Sequence, residues 1–232
     1  MRLCMFAPVD HHMDRGWVGR IEGTQVVHLA AQTLQSFFTG GGKAREHDVY
    51  RLDEVTMRAP VFHPPSVRFF EGAEEFGFAN STVIHAPGAA VERGESLTVL
   101  PRLAAVIGSE QGIGGFTILV ELRDPSRTPP KDRDFALVLG PVVVTPDELG
   151  DVGLGVAVRV DGAARSSARL DGFDWAGARD LAAAGTRLRT GDLIAGPPAG
   201  VAEGVLGEVE IEVEQIGVLV FQVGEIRGQA EA

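Results

Sequence analysis

The chain has 232 residues, a formal net charge of −11 and 44% hydrophobic residues, enough to bury a substantial core without covalent staples. The acidic balance argues against nucleic acid or an anionic membrane surface as the main partner, because phosphate-rich surfaces attract Lys and Arg. Cys4 is the only cysteine, so no internal disulfide forms. That fits a reducing, cytoplasmic setting, as does the lack of a membrane-length apolar run or a basic-then-apolar leader.

From the N-terminus, residues 2–8 and 17–21 read as strands, and Glu22-Gly23 turns the chain into a third strand over 25–29. The spacing predicts a short helix over 33–38, stopped by Gly40-Gly41-Gly42, and a polar loop over 45–50. Ala59-Pro60 and Pro64-Pro65 interrupt regular pairing. They mark a boundary between a small N-terminal α/β domain, 1–58, and a larger domain, 59–232. Beyond it, short apolar runs alternate with Gly/Pro turns at 103–107, 116–120, 137–144, 155–160, 209–213 and 218–223. Each reads as a strand. Residues 175–184 read as a helix with Asp174 as N-cap and Gly185 as C-cap, followed by a strand over 193–195. Many short strands with one good helix give a mainly β (α+β) fold, a sandwich or roll. Gly112, Gly114 and Gly115 read as turn glycines, since no strand-turn-helix context surrounds them.

Several segments, in order along the chain, resemble the fumarylacetoacetate hydrolase family. They include Tyr50-Arg51-Leu52-Asp53-Glu54-Val55, Pro64-Pro65-Ser66-Val67-Arg68 and Leu103-Ala104-Ala105-Val106-Ile107-Gly108. The most recognisable stretch is Leu139-Gly140-Pro141-Val142-Val143-Val144-Thr145-Pro146-Asp147-Glu148-Leu149, and Thr190-Gly191-Asp192-Leu193-Ile194-Ala195-Gly196 follows. The resemblance implies a mixed β-sandwich roll with a small N-terminal domain, assembled as a homodimer around a small-molecule substrate. It also implies a divalent-metal site built from four carboxylates. Three of those positions hold Phe69, Leu100 and Arg102 here, and Glu121 is the acid retained. The family's catalytic His position is Phe76, Arg123 falls where a family Ser stands, and the Thr of the closing Gly-Thr pair is Pro197. A hard cation needs anionic oxygens, so neither a metal nor any other cofactor is expected.

Two readings of the altered centre stay open. In one, Arg102 replaces the dication and binds an anionic or enolic oxygen beside Glu121; in the other, an Arg102–Glu121 salt bridge fills the vacant site. Lys131 matches the family's active-site lysine, although Lys131-Asp132-Arg133-Asp134 also reads as a solvated charge cluster. Glu71, Glu74 and Glu75 fall in the family's lid segment. There Glu75 is a candidate base and the others candidate substrate contacts, or all three line a solvated turn. His85 is the best-placed histidine for proton transfer, with a backbone-bonded structural role as the alternative. Phe69 and Phe76 make the former metal pocket more apolar. Asp10, His11, His12 and Asp14 read as a loop rather than a metal site.

Three functions follow. The first is a repurposed, metal-independent isomerase, lyase or cyclase acting on an enolisable or unsaturated carbonyl metabolite, with secondary metabolism as the expected setting. The second is a non-catalytic binding or scaffold protein. The third is a metal-dependent C–C bond hydrolase with a rearranged site.

Overall fold

A computed structural model describes residues 1–11, 13, 15–91, 97–150 and 153–224. The N-terminal segment forms strands β1 (Arg2–Pro8), β2 (Trp17–Glu22) and β3 (Gln25–Leu29), helix α1 (Leu34–Thr39), and strands β4 (Glu46–Arg51) and β5 (Val55–Arg58). Then come β6 (Val67–Phe70), β7 (Phe76–Ala79), β8 (Ile84–His85), β9 (Ala90–Val91), β10 (Leu97–Ile107), β11 (Ile113–Arg123), β12 (Leu137–Val144), β13 (Leu154–Val160) and β14 (Ala163–Leu170). Helix α2 (Trp175–Ala183) and strands β15 (Leu193–Ala195), β16 (Ala202–Val205), β17 (Gly207–Val213) and β18 (Gly217–Val223) complete the described chain.

The strands make two sheets. The larger runs β4-β3-β2-β1-β12-β11-β10-β15-β6-β7, and the smaller runs β14-β13-β17-β18-β9. The chain is therefore mainly β, as the short apolar runs imply. Strand β1 pairs with both β5 and β12, so the N-terminal strands continue the large sheet.

Strands β10 and β11 are buried on both faces, which is why they lack clean polar–apolar alternation. One face packs into the sandwich interior through Leu103, Ala105, Phe116 and Ile118, against Val156, Ile211 and Phe221 of the small sheet. The opposite face carries Ala104, Val106 and Leu119, packed with Leu3, Leu34, Phe37 and Phe38. Helix α1 lies on that second face, and the Thr33 side chain caps it by accepting from the Ser36 amide.

Some expectations need correcting. Residues 45–50 are not a loop: β4 pairs with β3 at the edge of the large sheet. Its polar side chains suit an edge strand open to water. Strand β14 lies at the edge of the small sheet, and its polarity hid it from an apolar-run search. Helix α2 starts at the expected Asp174 cap but ends one residue early, at Ala183, with Ala184 instead of Gly185 as its C-cap; Gly185 follows with a left-handed φ of +68°. Gly114 and Gly115 lie within β11 rather than in a turn. A Cβ on Gly115 would come within 2.5 Å of the Val143 side chain and 2.7 Å of the Val144 carbonyl, so close strand approach demands glycine there.

Candidate functional site

Antiparallel pairing places Leu100 opposite Glu121 and Arg102 opposite Leu119. Because side chains alternate along a strand, all four share one face of the sheet. Phe69 joins the same face, since β6 pairs with β15 at Phe69–Ala195 and β15 pairs with β10 at Ala195–Ala104.

Arg102 is the hub, with its side chain fully buried. Its Nε and Nη2 donate to Glu121 Oε2 at 3.1 and 2.8 Å, and Nη2 also donates to Glu71 Oε1 at 2.7 Å. Its Nη1 donates to the backbone carbonyls of Phe70 and Gly196, at 3.1 and 3.0 Å. Every N–H of the guanidinium thus has an acceptor. The Phe69 ring covers its face, with the ring centroid 4.6 Å from Cζ, a cation–π contact strengthened by desolvation.

Glu121 is equally buried and bridges two arginines. Its second oxygen, Oε1, accepts from Arg123 Nε at 2.7 Å. Arg123 Nη2 lies 3.7 Å from Glu71 Oε1, which closes a four-membered ring of alternating charges. The ring is graded from inside to outside: Arg102 and Glu121 are sealed, while Arg123 is 29% and Glu71 53% exposed. Both oxygens of Glu121 are held by guanidinium N–H groups, so it acts as a structural anion and not as a free proton acceptor.

The other candidates stand apart from this ring. Lys131 is exposed, and its ammonium pairs with Asp134 at 2.7 Å. Glu74 and Glu75 are exposed in the turn between β6 and β7. Phe76 packs on Phe70 at 5.2 Å between centroids and belongs to the interior cluster, on the reverse side of the sheet from Phe69. His85 sits half-buried on β8, alongside β12, and burial pushes its imidazole below the usual value, towards the neutral form. The pair His12 and Asp14 lies outside the described residues.

Residues 51–224 match the family model for the fumarylacetoacetate (FAA) hydrolase C-terminal domain. The chain belongs to the fumarylacetoacetate hydrolase family. Solved structures share the fold over nearly the full length. Maleylpyruvate hydrolase from Sphingobium sp. SYK-6 has a TM-score of 0.79 at 20% identity, covering 97% of this chain and 99% of its own. The 5-carboxymethyl-2-hydroxymuconate delta-isomerase from Mycobacterium smegmatis gives 0.77 at 21% identity, and fumarylacetoacetate hydrolase from Exiguobacterium antarcticum gives 0.78 at 21%. Each of these two alignments covers 97% of this chain and 99% of the other. No curated protein sequence matches the chain.

The metal that the family resemblance implies does not fit this donor set. Phe69 and Leu100 offer no oxygen, and Arg102 places a fixed positive charge at a ligand position. Glu121 has both oxygens committed to guanidinium groups. A magnesium-like ion needs several anionic or carbonyl oxygens in near-octahedral array. Among the described residues, no group of three or more His, Cys, Asp or Glu side chains is arranged to hold a metal ion.

The backbone acceptors of Arg102 were not legible in the sequence. Phe70 and Gly196 are brought together only by the parallel pairing of β6 with β15. Gly196 closes the Thr190-Gly191-Asp192-Leu193-Ile194-Ala195-Gly196 motif, but no side-chain pattern signals that its carbonyl serves an arginine.

Proposed function

We propose that this family member binds a small carbonyl-bearing anion, an oxo acid or its enolate, at the mouth of the Arg102–Glu121–Arg123–Glu71 ring, without a divalent ion at that centre. The observation that carries this reading is the position of Glu71. It is a half-exposed carboxylate from the β6–β7 turn, set against Arg102 Nη2 at 2.7 Å and Arg123 Nη2 at 3.7 Å. A ligand carboxylate or enolate entering the mouth would make the same contacts, so Glu71 acts as an internal stand-in that the ligand displaces. Displacement frees one buried Arg102 N–H and the outer face of Arg123. Together they supply a charge-assisted oxygen clamp where the family uses a cation.

The released Glu71 carboxylate would then lie beside the bound ligand, in reach of a proton α to its carbonyl. Isomerase- or lyase-type chemistry on an enolisable metabolite follows from that arrangement. Proteins of similar fold include isomerases as well as hydrolases. Maleylpyruvate hydrolase has also been solved with manganese (II) ion and pyruvate, a small oxo acid.

A second reading, a non-catalytic binding or scaffold protein, is favoured by the saturation of Arg102, whose N–H groups are all satisfied within the chain. Calorimetric titration with oxalate and with pyruvate, in the presence of a chelator, separates the two. The clamp predicts that wild type binds, that Glu71→Gln binds more tightly, and that Arg123→Ala weakens binding about tenfold, in line with about 1.5 kcal/mol for a charge-assisted hydrogen bond. If neither wild type nor Glu71→Gln binds either anion, the scaffold reading stands. If binding appears only on adding magnesium or manganese, the metal-free clamp is refuted.

A further inference from the structure

We propose that a cavity on the reverse face of β10 and β11 is a second, separate site, for a planar, mostly apolar small molecule carrying a single negative charge. Arg102 and Leu103 are neighbours on a strand and point to opposite faces. The ring described above faces one side, and Leu103 with Phe116 floors a cavity of about 660 Å³ on the other. That volume falls within the roughly 300–1,000 Å³ common for small-molecule sites.

The walls are chemically specific. Trp175 lies edge-to-face with Phe116 at 5.0 Å and with Phe173 at 4.7 Å, the interplanar angles being 72° and 77°. Rings that meet in this way do not stack on one another, so aromatic surface lines the space and suits a flat, conjugated ligand. Leu154 and Leu170 from the small sheet close the far wall. Phe173 and Trp175 stay only half-buried, although they pack against the interior cluster. Such aromatic surface left facing a space invites a ligand.

The rim sets the charge. Arg169, on the edge strand β14, donates from Nη2 to the Gly153 carbonyl, and its remaining N–H groups have no partner among the described residues. Among the described residues it is therefore a cation with donors to spare at the mouth of a mostly apolar cavity. Asp171 shares that rim and repels further negative charge, which points to a monoanion such as an aryl carboxylate or phenolate rather than a polyanion.

Gly196 stands between the two sites. Its carbonyl accepts from Arg102, while a Cβ there would come within 3.2 Å of the Trp175 ring and 3.3 Å of Phe173. The sites share this one backbone element but no side chain, so each can be altered alone.

The test titrates the full-length protein with 1-anilinonaphthalene-8-sulfonate, an aryl monoanion built on a flat naphthalene, following probe fluorescence and calorimetric stoichiometry. One saturable site per chain is expected. Ala199→Trp and Leu149→Trp, which fill the cavity from different walls, should each weaken binding at least tenfold while leaving the oxalate titration as in wild type. Arg169→Ala should weaken the sulfonate probe severalfold and leave the neutral N-phenyl-1-naphthylamine unaffected. The inference is overturned if wild type shows no saturable binding. It is also overturned if a filling variant with wild-type melting temperature binds the probe as well as wild type does. Loss of oxalate binding with the probe site intact would refute the anion clamp alone.

Discussion

Replacing Arg102 by methionine removes the guanidinium that neutralises a fully buried Glu121 and satisfies the carbonyls of Phe70 and Gly196. Breaking a buried ion pair from one side costs about 3–5 kcal/mol, mostly because the remaining charge is left without compensation. Arg123 still holds the other oxygen of Glu121, which favours the lower end, about 3 kcal/mol. The two orphaned carbonyls bring the total to about 4–5 kcal/mol. For a chain of this size, each kcal/mol moves the melting temperature by about 2–4 °C, so Arg102→Met should melt roughly 8–20 °C below wild type. The double variant Arg102→Met/Glu121→Leu removes both charges and should recover most of that loss, since apolar replacement of a whole buried pair is often neutral. Thermal unfolding followed by circular dichroism, run as a double-mutant cycle, reads both values. A loss below about 1 kcal/mol in Arg102→Met, the size of a surface pair, would show that Arg102 is not the sealed hub described above.

Millimolar magnesium or manganese should leave the melting temperature unchanged, and a chelator should have no effect, because an ion that binds only the native state must raise its stability by mass action; a concentration-dependent rise would refute the metal misfit. His85, with its imidazole pushed down by burial, should be protonated more readily in the unfolded state. Its stabilising effect is therefore full above the unfolded value near pH 6.5 and is lost as pH falls towards the folded value; urea midpoints measured across mildly acidic pH should fall less steeply in His85→Gln than in wild type. Cys4 is sealed, and burial pushes its thiol up to about 12. Thiol reagents at pH 8 should therefore leave the native protein unmodified and label it only on unfolding; rapid native labelling would contradict the packing of β1.

The sequence by itself determined the family, through an ordered set of individually weak motifs. It also determined the mainly β composition and the absence of carboxylates at positions 69, 100 and 102. It marked helix α2 and its Asp174 cap because capping chemistry is local, settled within three residues by the Asp174 side chain and the Gly177 amide. Strands β10 and β11 were read too short because a search for apolar runs stops at charged residues. Arg102 and Glu121 lie inside those strands, paired with each other and not with water.

Only the tertiary structure decided what surrounds Arg102. Its acceptors are Glu121 on β11, Phe70 at the end of β6, Glu71 in the turn after it and Gly196 just past β15, and sheet pairing alone makes them neighbours. The same pairing separated Phe69 from Phe76 by a sheet's thickness, while Lys131 pairs locally with Asp134, three residues on. A strand's two-residue period fixes which side chains share a face. Which face meets which neighbour depends on contacts between residues far apart in the chain, and no local pattern encodes those.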